Sequence, residues 1–504
     1  MVADPVLAAF DDLARRRPER PLVLAPARQA TVSEVDAKAA DLARELAARG
    51  LAPGELVGLV APNGPAFLIG YLALRRARLV PVLCDLALPA AAREGILERF
   101  AAAGCLSSSD PWVDLRSDWS FVARPATAAV PSQRLDEGVG AVKLTSGSTG
   151  LPRGVVISAA ALVADEAQLA TTMELGEDDR HMGAIAFSHS YGFSSVVLPA
   201  LLRGAAVIVP GALGARSDRS ATAPLSAAQE LGATFFPTVP AWLSAWSRLA
   251  SPPPLPASVR KVVSAGAPLS AETARAFRER FGIPVHVFYG ASECGGITFD
   301  RQGDAAERGT VGSPVDGVEL ELDPETGRLR VRSAAVGERY LQGSGGELGA
   351  GSFLTGDLAA WDQLPGGELR LRGRVDDLVI IKGKNVQPRE VERVLRELPG
   401  IDDVCVLGIG GPEGEKSGAI ASATVLRAVV AAAPDSGLTF ERIVEQCRGR
   451  LADHKIPRSI VFVSELPRDA RGKLDRRRLA DPALAGSAAC LPTPATAAPQ
   501  RSDR

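Results

Sequence analysis

Apolar positions recur at helical spacing across residues 32–49, at Val32, Val35, Ala39, Leu42 and Leu46, and the run stops before Gly50. That period predicts an amphipathic helix. Residues 56–61 form instead a short continuous apolar run ending at Pro62-Asn63-Gly64, which predicts a strand and a turn. Residues 79–83 repeat the pattern, and further apolar runs follow at 205–209, 233–236, 261–264 and 285–288. Helical periods alternating with wholly apolar strands predict a parallel sheet with crossover helices. Loops after such strands are where open α/β sheets place their ligands.

From residue 309 the pattern changes. Residues 318–322 and 329–332 alternate apolar with charged positions, the mark of an antiparallel sheet with one wet face. Past residue 376 a separate lobe is predicted, with a strand at 378–381, a helix at 389–397, a strand at 404–409 and a helix near 440–451. Residues 482–504 are rich in Ala, Pro and Ser and are expected to be disordered. A chain of 504 residues has room for one large domain and a small one.

Composition narrows the function classes. A formal net charge of −2 gives no global attraction to nucleic acid or to a membrane surface. The first residues lack a basic segment followed by an apolar core, so no secretory signal is expected and a cytoplasmic location is. The longest apolar stretch, 196–213, is broken by Pro199, Arg203, Gly204 and Pro210, and is expected as buried helix and strand rather than an integral membrane segment. The 6 cysteines contain no Cys-x-x-Cys pair and the 4 histidines are dispersed, so neither a disulfide framework nor a metal cluster is expected.

Candidate chemistry begins at residues 143–154, Lys-Leu-Thr-Ser-Gly-Ser-Thr-Gly-Leu-Pro-Arg-Gly. Gly147, Gly150 and Gly154 alternate with the hydroxyls of Thr145, Ser146, Ser148 and Thr149, and Arg153 closes the turn. An apolar run interrupted by Gly140 and Lys143 leads in, and another, 155–157, leads out. A turn between two strands, rich in N–H and hydroxyl donors, suits an oxyanion, above all phosphate. It lacks the Gly-Lys-Ser/Thr ending of the common nucleotide loop, and alone it reads equally as a Gly/Ser surface turn. Further on come Tyr289-Gly290-Ala291-Ser292-Glu293, Thr355-Gly356-Asp357, Gly373-Arg374-Val375-Asp376-Asp377, residues 383–392 beginning Gly383-Lys384, and residues 466–473 ending Gly472-Lys473.

In that order these motifs resemble the adenylate-forming superfamily of acyl-CoA synthetases, carrier-protein adenylation domains and luciferases, from about residue 10 to about residue 480. The resemblance implies an α/β fold: a large N-terminal body of parallel and mixed sheets with helices plus a small β subdomain, and a small mobile α+β C-terminal lobe. The expected division is 1–375, 376–481 and a tail at 482–504, with Asp376 as hinge. By the same resemblance Thr145, Ser146, Gly147, Ser148, Thr149 and Gly150 cradle the β- and γ-phosphates of ATP, and Glu293 holds Mg²⁺. Arg153 stands where the family usually has lysine. Tyr289, with Gly290, Ala291 and Ser292, takes one side of the adenine, and Gly266, Ala267 and Pro268 line the other. Asp357 accepts from the AMP ribose hydroxyls, and Arg374 reaches the ribose or the phosphate. Lys473 is the expected catalytic cation, a point charge on a flexible stem. Gly383 and Lys384 are expected at the coenzyme A pantetheine and phosphates.

His189 lies in Phe187-Ser188-His189-Ser190-Tyr191-Gly192-Phe193, and the same resemblance implies that this histidine or its aromatic neighbour gates the acyl pocket and orients the substrate carboxylate. Tyr191, Phe236, Val239, Ala265 and Gly266 are the expected pocket wall, although Phe236 and Val239 read equally well as ordinary core. Adenylating domains for amino acids generally carry an aspartate after the phenylalanine of this region, and here Ser188 follows Phe187. An acyl or aryl acid is therefore expected, with CoA as acceptor and a compact acid–thiol ligase as the activity. Two variants stay open: delivery to a carrier-protein thiol, and an adenylation weakened by Arg153 that leaves the enzyme working on a preformed acyl adenylate. A non-catalytic binding protein on this scaffold is opposed by the presence of Glu293, Asp357, Arg374 and Lys473 together.

Overall fold

The computed structural model describes residues 4–112, 119–124, 133–146, 152–210, 218–342, 347–362, 367–375, 379–381, 384–409, 425–433, 436–448, 450–468, 474–475, 478–479 and 488–490. By packing, the chain divides into two compact units: residues 1–355 with 359–371, and residues 356–358 with 372–504.

The helix Val32–Ala47 shows how local signals build the first unit. Thr31 Oγ1 accepts the Glu34 N–H at 3.3 Å while the Glu34 carboxylate accepts the Thr31 N–H at 2.8 Å, a reciprocal cap. Val32, Val35, Ala39, Leu42 and Leu46 form its buried face, the spacing visible in the sequence. The strand Leu56–Val60 is buried along its whole length, as a strand covered on both faces must be.

Two sheets dominate this unit. One runs through Ser313–Pro314, Gly295–Phe299, Val285–Ala291, Lys261–Ser264, Phe235–Thr238, Arg180–Met182, Ala206–Ile208, Pro21–Ala25 and Arg28–Thr31. The other runs through Arg339–Tyr340, Pro152–Ser158, Val139–Ser146, Val80–Leu83, Leu56–Val60, Gly104–Ser107 and Ser120–Ala123. Both are parallel in the middle and antiparallel at the edges. The apolar stretch 196–213 contributes the helix Leu198–Arg203 and the strand Ala206–Ile208. Among the described residues no helix is long and apolar enough to cross a membrane. A small antiparallel sheet is built on Glu319–Leu322, Arg328–Arg332 and Ser352–Trp361, with Leu369–Arg374 also paired to Ser352–Trp361.

In the second unit Asp403–Ile409, Val425–Ala431 and Ser459–Val463 form a sheet, against which the helices Pro388–Arg396 and Phe440–Cys447 bury Val391, Leu395, Ile443 and Val444. The terminal stretch, expected to be disordered, differs at Ala488–Cys490, a strand antiparallel to Ser459–Val463. A sheet edge leaves N–H and C=O groups open to any short segment that reaches them, and composition carries no trace of that.

Candidate active site

The motif of residues 143–154 sits at the end of a hairpin. Val139–Ser146 and Pro152–Ser158 pair antiparallel up to Ser146 opposite Pro152, which sets Thr145 opposite Arg153. Gly147, Ser148, Thr149 and Gly150 lie outside the described residues. Arg153 is exposed, and its guanidinium carbon stands 5.2 Å from the Tyr340 ring centroid. The Tyr340 hydroxyl donates to Glu293 Oε1 at 3.0 Å. Burial first, and then the Glu293 charge, push the Tyr340 phenol up, so it stays a proton donor. Tyr340 reaches this place on the two-residue strand Arg339–Tyr340, opposite Val155. Arg153, Tyr340 and Glu293 thus form one row. Tyr340 was not among the expected site residues, because a two-residue strand has no period to read.

Glu293 lies in the turn between Val285–Ala291 and Gly295–Phe299, which pair with Tyr289 opposite Thr298, Gly290 opposite Gly296 and Ala291 opposite Gly295. The Gly337 N–H donates to the Glu293 carbonyl at 2.8 Å and fixes the turn from outside. Ser190 Oγ donates to Ser292 Oγ at 2.7 Å, so the turn also touches the His189 segment. His189 caps the short helix Ser190–Gly192, its Nδ1 accepting the Tyr191 N–H at 3.3 Å. An Nδ1 that accepts this N–H leaves Nε2 as the ring position able to carry a proton. Tyr191 is buried, and its hydroxyl donates to the Val263 carbonyl at 2.8 Å.

Asn63 organises the approach to His189. Its Nδ2 donates to the carbonyls of Gly183 at 3.0 Å and Ile185 at 2.8 Å, and its Oδ1 accepts the Phe187 N–H at 2.9 Å. The sequence marks Asn63 only as a turn residue. Nothing local announces bonds to a segment more than a hundred residues away.

The strands Phe235–Thr238 and Lys261–Ser264 run parallel, and their C-terminal ends carry Val239 and Ala265-Gly266. Gly266 has φ +81°, a conformation that favours glycine, and a Cβ there would stand 4.0 Å from Val239 Cγ1. Ala267 and Pro268 are exposed. Among the expected pocket residues, His189, Val239 and Gly266 keep accessible surface. Tyr191, Phe236 and Ala265 are core, with Phe236 edge-on to Trp246 at 5.5 Å between ring centroids.

In the second unit Arg374 Nη1 stands 3.4 Å from Asp357 Oδ1, and the Val375 N–H donates to the Gly356 carbonyl at 2.9 Å. A Cβ on Gly356 would come within 2.9 Å of Arg374 Nη2, so the glycine makes room for the guanidinium. Lys384 opens the strand Lys384–Val386. Asp376, Gly383 and Lys473 lie outside the described residues.

Mg²⁺ prefers oxygen ligands, keeps several waters, and on a nucleotide needs one or two carboxylates beside the phosphates. No group of three or more His, Cys, Asp or Glu able to hold an ion occurs among the described residues. Glu293, half-buried with Tyr340 and Arg153 behind it, is a hard oxygen donor next to the hairpin that carries Thr145 and Arg153, and fits such an ion.

Residues 10–349 match the AMP-binding enzyme family, and residues 390–473 match the AMP-binding enzyme C-terminal domain. The chain belongs to the AMP-binding enzyme family. This AMP-binding enzyme is 29% identical over 479 residues to feruloyl-CoA synthase from Amycolatopsis sp, covering 88% of this chain and 92% of that protein. It is 27% identical to naringenin synthase from Pestalotiopsis fici over 91% of its own length, but spans only 18% of that larger protein. Its fold matches O-succinylbenzoate coenzyme A synthetase from Bacillus subtilis in complex with AMP, with a TM-score of 0.77, 22% identity, and coverage of 94% of this chain and 98% of that one. The α/β class expected from the sequence holds.

Proposed function

We propose that this AMP-binding enzyme is an AMP-forming acid–CoA ligase acting on an acyl or aryl carboxylic acid. The carboxylate oxygen attacks the α-phosphorus of ATP, a P–O bond breaks, and pyrophosphate leaves. The CoA sulfur then attacks the acyl carbonyl, AMP leaves, and the thiol proton goes to solvent. The observation that carries this reading is the 2.7 Å bond between Ser190 and Ser292. It sets the segment expected to hold the acid beside the turn expected to hold the nucleotide, the adjacency that transfer of an adenylyl group to a carboxylate requires.

In this reading His189 donates from Nε2 to the acid, Thr145 and the hairpin turn hold phosphate oxygens, and Tyr289 packs on adenine. Mg²⁺ on Glu293 would spread the phosphate charge. Asp357 accepts from the ribose hydroxyls, with Arg374 beside it. Lys473 supplies positive charge while pyrophosphate departs, and Asp376 is the hinge by which residues near Gly383 and Lys384 come to serve the thiol step. A carrier-protein thiol is the second acceptor to test, because the chain also matches a segment of a much larger synthase.

The test is incubation with ATP, Mg²⁺ and a panel of acids, with mass spectrometry for acyl adenylate, followed by CoA or a phosphopantetheinylated carrier. Acyl adenylate and then acyl-CoA are expected. Thioester on the carrier alone moves the acceptor, and no adenylate with any acid sinks the reading. Lys473→Ala is expected to abolish most adenylation and to spare thioester formation from supplied adenylate.

A further inference from the structure

Lys143 interrupts an apolar strand two residues before Thr145 and is only 2% exposed. Its Nζ stands 3.5 Å from Ser194 Oγ and 5.8 Å from the Phe193 ring centroid. Ser194 in turn donates to Asp165 Oδ2 at 2.6 Å. Asp165, on the helix Ala159–Met173 and also 2% exposed, accepts the Gly296 N–H on Oδ1 at 3.0 Å. Gly295 has φ +70°, and a Cβ there would lie 2.2 Å from Asp165 Oδ1, so only glycine lets the turn rest on the carboxylate. Ser194 belongs to a widened π turn, Phe193–Val197, directly after the His189 segment. Such turns interrupt a helix where function needs a particular side chain placed.

The ion pair is therefore bridged by a hydroxyl rather than closed by direct contact, and it joins four segments. They are the phosphate hairpin, the helix behind it, the His189 segment and the Glu293 turn. Burial lowers the lysine's hold on its proton, and the Asp165 charge is the largest influence opposing that. A buried ion pair contributes little net stability compared with apolar side chains of the same size. Its presence calls for another use.

We propose that Lys143, Ser194 and Asp165 are positioning residues that lock the Glu293 turn to the strand carrying the phosphate loop. The proposal rests on the adenylation reading above. Losing the lock lets the turn drift against the hairpin, and displacement of about 1 Å at a reacting centre costs up to about a hundredfold in rate.

The test uses the full chain with Lys143→Met, which keeps length and removes charge. Three quantities are read: KM for MgATP in pyrophosphate exchange, the rate of thioester formation from supplied acyl adenylate, and amide hydrogen exchange across residues 290–298. The expected result is a KM raised about tenfold, an unchanged thioester rate, and faster exchange at Gly296. Wild-type KM together with wild-type exchange at Gly296 overturns the proposal, whatever happens to the melting temperature. Where Lys143→Met does not fold, Ser194→Ala breaks the bridge without stranding a charge. It should raise KM about threefold and speed Gly296 exchange, and no change in either overturns the proposal equally. If the wild type shows no pyrophosphate exchange with any acid, the adenylation reading is what fails. Exchange at Gly296 in the two variants then still decides the lock.

Discussion

The strand Gly295–Phe299 meets a buried carboxylate at each end. Beyond its C-terminal end Asp300, fully buried, accepts the N–H groups of Gln302 at 3.1 Å, Gly303 at 2.9 Å and Ala305 at 2.9 Å. At the N-terminal end Asp165 reaches Gly296 from a distant helix, with a hydroxyl and an ammonium completing its surroundings. Asp300 is a mainly local device: amides just after it solvate most of the charge, with the Val287 N–H 3.5 Å from Oδ2 and Arg308 Nη2 4.0 Å from Oδ1. Asp165 ties together parts that are far apart in the chain. The first arrangement buys stability; the second fixes relative placement.

Asp300→Ala should show the largest effect. It strands buried amides that each cost about 1–3 kcal/mol when unsatisfied, so denaturant unfolding should show a loss of about 4 kcal/mol. The fraction that stays folded should keep its KM for MgATP. A KM rising in step with the lost stability would erase the contrast between the two ends. Tyr340→Phe addresses the Glu293 end. Removing a hydrogen bond to a carboxylate worth about 1.5 kcal/mol should slow pyrophosphate exchange about tenfold, with unfolding shifted by less than about 1 kcal/mol. An exchange rate equal to wild type would show that the phenol has no part in holding Glu293.

The Asp300 end should also respond to acid. His286 Nδ1 donates to the Asp300 carbonyl at 2.7 Å, and burial keeps the ring neutral, its pKa below the usual value. The unfolded chain binds a proton near pH 6.5 that the folded chain resists, so stability is full above that pH and falls as pH drops through 6.5 toward the lower folded value. The slope is at most about 1.4 kcal/mol per pH unit for one histidine. Unfolding curves between pH 7 and pH 5 should be flatter in His286→Gln, and equal slopes would remove His286 from the account. The smallest change is Arg153→Lys. Exchanging a planar fork that lies on Tyr340 for a point charge should raise pyrophosphate exchange about twofold. An unchanged rate would make the arginine a neutral replacement.

Where the local signal was a period, an apolar run or a glycine-rich motif, the sequence was readable. Period and cap together specify Val32–Ala47, and an unbroken apolar run specifies Leu56–Val60. The motifs that carry Thr145, Glu293 and Asp357 stand out because glycine and hydroxyl residues crowd into a few positions. Asn63, Tyr340, Asp165 and Ser194 did not stand out, since each acts on a partner brought near only by folding. Lys143 was visible as a flaw in an apolar run, but a flaw does not name the carboxylate that answers it. The strand Ala488–Cys490 escaped for a related reason: an edge pairing asks for backbone, and backbone leaves no signature in composition.

Asn63 makes the segment 183–193 resemble a cartridge in a fixed socket. Its side chain grips only main-chain atoms, at Gly183, Ile185 and Phe187, and is indifferent to the side chains that segment presents. On the proposed reading, side chains of this segment outside the proposed chemistry, such as Ser188, can be exchanged to alter selectivity for the acid while the socket, His189 and the Ser190–Ser292 bond stay as they are. The reverse engineering, altering the socket, would unseat every cartridge alike.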